Sequence, residues 1–114
     1  MLLETFLDKL RETPELVEFT DTMSVIDSNY TFSEVAFNNG QQQNAAGENS
    51  GSCKLFSFAK LNKLSEAQTL ACFGTYYRKD VLAHPDANDH QNIRQFISNG
   101  WAGIEFNAEA LSVK

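Results

Sequence analysis

SEAQTLACFGTYYRKDVLAHP, running from Ser65 to Pro85, is the stretch whose reading decides the fold class. Ser65 and Gln68 have the S-x-x-Q spacing of a capping box, in which two side chains reciprocally satisfy the orphan amides of a helix start. Ala67, Leu70, Gly74, Tyr77 and Val81 then fall within a narrow arc at helical spacing, with Phe73 beside them. A helix is therefore expected from this box to about Ala83. Pro85 blocks its continuation and pushes His84 out of the α region. Glycine on an apolar helix face costs about 1 kcal/mol. Gly74 is therefore expected where a second element packs closely.

Two further helices lie upstream. Leu2, Leu3, Phe6, Leu7 and Leu10 form one stripe, with Glu4, Asp8 and Glu12 away from it. The second helix should open with Thr13 as N-cap, Pro14 in the first helical position and Glu15 in the first turn. Its expected buried stripe is Leu16, Phe19, Met23 and Ile26, reaching Tyr30. Alternation follows, and Val35–Phe37 reads as a short strand. The segment 38–51 holds three glycines and little to bury, so it should be a surface loop, with room for one helical turn over Gln42–Ala46. Ser52 is placed to cap a helix over Cys53–Lys63, although alternation through Phe56, Phe58 and Lys60 leaves a strand open.

Downstream, Asp89 is placed to cap a helix carrying Ile93, Phe96 and Ile97, and Asn99-Gly100 should end it. A Schellman ending would fold Trp101 back onto Phe96. Ile104–Phe106 is a second short strand, with Val35–Phe37 its one obvious partner. The expected fold is thus one helix-rich α+β domain, 1–114, of four or five helices with a small two- or three-stranded sheet.

The composition fits a single domain. The 114 residues are 42% hydrophobic and 21% charged, with a net charge of −6. A chain of this length buries roughly two-thirds of the surface it exposes when unfolded. The acidic balance argues against nucleic-acid phosphates as the partner. No apolar run is long enough to span a membrane, and no Sec-type signal peptide opens the sequence. Residues 1–50 hold nine acids against two bases, an asymmetry able to steer a basic partner; a solvated helix face with compensating charges elsewhere is the plainer reading. Cys53 and Cys72 are too few for a disulfide scaffold and read as reduced thiols.

Candidate chemistry gathers in three places. His84, Asp86, Asp89 and His90 put two imidazoles and two carboxylates into one junction, a donor set that suits zinc or manganese. The spacing matches no standard metal site, and a turn held by local hydrogen bonds is the plainer reading. Cys53 lies at an expected helix start beside Lys54, where amide dipoles favour a thiolate. With His84 or His90 as base and an Asp such as Asp89 as its orienter, it would form a nucleophilic set. The plainer reading is a packed thiol. Arg78 and Arg94, with Tyr77, offer an anion site through bidentate guanidinium contacts; pairing with the many acids is the plainer alternative. No cofactor fingerprint is present.

Two longer runs carry a resemblance. They are NSGSCKLFSFA from Asn49 and TLACFGTYYRKDVLAHP from Thr69, followed by DHQNIRQF from Asp89 and GWAGI from Gly100. Together they resemble the HopJ type III effector protein family over roughly residues 20–106. The resemblance implies a bacterial cytoplasmic protein, delivered into a host cell by a type III system. It brings no catalytic residue or mechanism with it. Type III signals are typically flexible, rich in serine and poor in acids. This chain instead opens with an expected amphipathic helix, and its first serine is Ser24. The expected function is binding of a protein partner, a host protein if the chain is delivered. The acidic second helix and the 38–51 segment are the expected contact surface. The alternatives are an enzyme or ligand-binding protein built on Cys53, His84, His90 and Arg94, and a housekeeping protein that stays in the bacterium.

Overall fold

The computed structural model describes residues 2–114. The first helix, α1 (Leu3–Glu12), follows its amphipathic stripe and buries Phe6 and Leu10. Pro14–Leu16 makes only a single 3-10 turn, and the next helix, α2 (Phe19–Asn29), starts later than the Thr13-Pro14 signal implied. A capping box between Glu18 and Asp21 opens it, the Glu18 amide donating to Asp21 Oδ2 at 3.1 Å. The Thr13 hydroxyl instead donates back to the Lys9 carbonyl of α1 at 3.2 Å. With the start displaced, Leu16 points to solvent and Val17 takes its place in the core.

Two small antiparallel sheets flank the helices. Strand β1 (Tyr30–Phe32) pairs with β5 (Leu111–Val113), Tyr30 opposite Val113. In the other sheet β2 (Phe37–Asn39) lies between β3 (Gln42–Asn44) and β4 (Ile104–Phe106), with Phe37 opposite both Asn44 and Phe106. The expected pairing of the Phe37 and Ile104 regions is present, but the strand begins at Phe37 and not at Val35. The 38–51 segment is exposed over most of its length, but it is not irregular throughout, and no helical turn forms over Gln42–Ala46. It makes a hairpin, turned at Gly40 with φ of +59°, and then enters the next helix. Asn39 and Asn44 are buried there.

Helix α3 (Ser50–Leu61) buries Leu55, Phe56, Phe58 and Ala59. It starts before Ser52, so Ser52 is not its cap and no strand forms. Helix α4 (Glu66–Ala71) has the expected box, with the Gln68 amide donating to Ser65 Oγ and the Ser65 amide donating to Gln68 Oε1. It stops at Ala71, far short of Ala83. Gly74, at φ +63°, turns the chain, and Tyr76–Val81 continues as a wide π-helical turn. The close approach expected at Gly74 is present: a Cβ there would lie 2.7 Å from the Phe19 amide nitrogen and 2.8 Å from Glu18 Cα. The same packing that requires glycine is what breaks the helix.

Helix α5 (Gln91–Asn99) has His90, not Asp89, in the N-cap position. Gly100 ends it at φ +60°, and the Phe96 and Trp101 rings meet edge to face at 5.1 Å, the predicted contact. Phe56 is the hub of the core, with ring centroids 5.0 Å from Phe96, 5.5 Å from Phe73 and 6.3 Å from Phe37. The fold is helix-rich α+β, as expected, with the strands divided between two sheets.

Candidate functional site

Four asparagines join the β2–β3 hairpin to the starts of α3 and α5. Asn39 Nδ2 donates to the Asn92 backbone oxygen at 2.6 Å and to Asn92 Oδ1 at 3.2 Å. Asn44 Nδ2 donates to the same Oδ1 at 3.2 Å, and Asn92 Nδ2 donates to Asn44 Oδ1 at 3.0 Å. Asn49 Nδ2 adds a bond to Asn44 Oδ1 at 2.7 Å. Asn39, Asn44 and Asn92 are buried, Asn49 is exposed, and buried carboxamides need partners for both of their ends. These satisfy one another almost completely, leaving Asn39 Oδ1 without a partner.

The network holds one wall of a cleft of about 490 Å³. Gln42, Asn49 and Ser52 come from the hairpin and the start of α3, while His90, Gln91 and Asn92 come from the start of α5. Phe19, Phe73 and Tyr76 form an aromatic side. Asn49 and His90 are the N-caps of their helices, both left-handed (φ 50° and 49°), and neither makes a side-chain cap bond. The first-turn amides of both helices therefore lack the usual capping oxygen. None of the lining residues is Asp, Glu, Lys or Arg. Such a surface offers neutral hydrogen-bonding groups and aromatic faces.

The candidates read from the sequence are dispersed. His90 lines the cleft, its ring 5.3 Å from Tyr76 and its Nε2 3.1 Å from Asp80 Oδ2. Cys53 faces inward from α3, with its Sγ 3.9 Å from the Val35 carbonyl. Burial is the largest influence on its thiol and pushes the pKa up, outweighing its contact to the Val35 carbonyl and the nearby Ser57 side chain. Cys53 and Arg94 do not line the cleft that His90 lines. Asp89 is not a helix cap. Its Oδ1 accepts from Arg94 Nη2 at 2.6 Å, and this bond, with the nearby His90, holds its carboxyl below the usual range. Arg94 also donates to the carbonyls of Asp89, His84 and Pro85, so it fastens the junction before α5. His84 and Asp86 are exposed on that junction. Among the described residues, no three His, Cys, Asp or Glu side chains are placed to hold a metal ion.

Arg78 Nη2 donates to Glu18 Oε2 at 3.1 Å, and Nη1 reaches the Pro14 carbonyl. Glu18 also accepts from the Thr75 amide through Oε1. This acid, expected on a contact surface, thus clamps the start of α2 to the turn after Gly74. Tyr77 is half-buried against the core. The sequence reading missed Gln42, Asn44, Asn49 and Asn92. The one local signal was Asn39-Gly40, a dipeptide that marks tight hairpins.

The sequence model of the family described as HopJ type III effector protein matches residues 3–111. The chain belongs to the HopJ family. The match takes in α1, so the amino-terminal helix is part of the HopJ domain. None of the curated proteins matches the chain. Among solved structures, it is similar to one titled as the crystal structure of unknown function protein VPA0580. The identity is 56%, with a TM-score of 0.99, over 100% of this chain and 95% of that one. The HopJ fold described above therefore recurs in a protein with close to half of its residues changed.

Proposed function

We propose that this HopJ protein acts by binding, and that the cleft over the asparagine network receives an extended segment of a partner protein. The observation that carries this reading is a cleft of about 490 Å³ lined by carboxamides, aromatics and one imidazole, without an Asp, Glu, Lys or Arg side chain. A peptide group presents one N–H donor and one C=O acceptor. A carboxamide presents the same complementary pair, and the first-turn amides of α3 and α5 supply further donors. Phe19 and Tyr76 give a partner side chain an apolar shelf. The acid-rich first half of the chain adds long-range attraction for a basic partner. The family description, a type III effector protein, supports a host protein as that partner.

Peptides selected from a displayed random library against the folded chain test the cleft. The selected peptides should shift the amide resonances of Gly51, Ser52 and Gln91. Tyr76→Ala should weaken them about tenfold or more, a loss of roughly 1.4 kcal/mol. Shifts confined to another face, or equal binding by the variant, would reject this placement. Delivery is tested separately by a translocation reporter fused behind residues 1–50. A signal no higher than in a secretion-deficient strain would count against it.

A further inference from the structure

Apart from that cleft, and sharing none of its lining residues, the second half of α3 and the β4–β5 connection line a pocket of about 470 Å³. Ligand pockets of small-molecule size run from about 300 to 1,000 Å³. Leu61, Phe106, Ala110 and Leu111 make its walls apolar. Ser57 also lines it; this residue is only 7% exposed, and its hydroxyl has no hydrogen-bond partner. A buried hydroxyl without a partner is costly to keep, so a ligand able to bond it gains affinity. Lys60, three residues further along α3, lies on the same helical face. Its Nζ stands 5.6 Å from the Phe106 ring centroid and, among the described residues, pairs with no carboxylate.

We propose that this pocket binds an apolar monocarboxylate, its carboxylate bridging the Ser57 hydroxyl and the Lys60 ammonium and its hydrocarbon body lying along Leu61, Phe106 and Leu111. Ser57, its enclosed hydroxyl turning toward the pocket about χ1, donates to one carboxylate oxygen while Lys60 donates to the other, and both bonds are charge-assisted because the acceptor is ionised. Glu109 lies on the rim. A single carboxylate is compensated there by Lys60, whereas a second negative charge meets Glu109 with no cation left to offset it. The site therefore favours a monoanion with an aliphatic or aromatic body over di- and tricarboxylates and phosphates.

Octanoate, titrated into the full chain and followed by amide shifts, is the probe. The expected result is saturable shifts at Ser57, Leu61, Ala110 and Leu111. Lys60→Met should weaken binding about tenfold, and 1-octanol should bind about tenfold more weakly than octanoate. Suberate, with a carboxylate at each end, should also bind more weakly. Thermal melts of Lys60→Met and Ser57→Ala establish that both variants are folded. Should Ser57→Ala lose its fold, Lys60→Met and the alcohol comparison still decide the matter. Equal binding of octanol and octanoate would overturn the proposal. So would shifts spread over the exposed Leu2, Leu16 and Leu82, or a Lys60→Met variant that binds as the parent does.

Discussion

Truncating Asn92 removes partners from two other asparagines at once, because its carboxamide accepts from Asn39 and Asn44 and donates to Asn44. Each buried polar group left without a partner costs about 1–3 kcal/mol. Asn92→Ala should therefore lower the unfolding free energy by about 2 kcal/mol, read from urea denaturation. A loss below about 0.5 kcal/mol, the size of an ordinary surface change, would mean that the network contributes little. Cys72 makes a second prediction at this scale. Burial pushes its thiol from 9.0 up to about 12. The folded chain then keeps a proton that the unfolded chain releases, so the contribution is complete below pH 9 and is lost as pH rises toward 12. Stability should fall in that window by up to about 1.4 kcal/mol per pH unit, and Cys72→Ala should flatten the slope.

Gly74 decides where α4 stops and how closely α2 approaches. A methyl group there meets Phe19 and Glu18 backbone and must also adopt φ +63°. At Gly47, with φ +88°, the nearest obstacle is the movable Glu34 carboxylate at 3.1 Å. Gly74→Ala should consequently cost more than Gly47→Ala, about 3 kcal/mol against about 1 kcal/mol, compared by thermal melts. Equal costs would show that α2 yields at this contact. The same glycine explains what could be read in advance and what could not. The Ser65–Gln68 box and the Gly100–Trp101–Phe96 ending are local, so a few residues specify them. Whether Gly74 bends a helix or breaks it depends on α2, which is distant in sequence. The pairing of β1 with β5 has no local signature at all. In the cleft, His90 stood out by residue type. Asn44 reads as a solvated loop residue because its burial is set by Asn92, which arrives from another segment.

For the molecule as a whole, α1 is not an appendage. Phe6 is fully buried and meets Phe58 edge to face at 5.8 Å. Phe6→Ala should cost about 3–5 kcal/mol, a large share of a typical domain stability of about 5–15 kcal/mol. The melting temperature should fall by at least about 10 °C, and a smaller change would mean that α1 contributes little to the core. The far end of the chain is held differently, since β5 closes onto β1 and the Lys114 amide donates to the Asn29 carbonyl. Traction applied at the carboxyl end loads that short ladder first, whereas traction at the amino end must draw Phe6 and Leu10 out of a packed aromatic interior. An unfolding motor that grips one end will therefore meet a different first obstacle from one that grips the other.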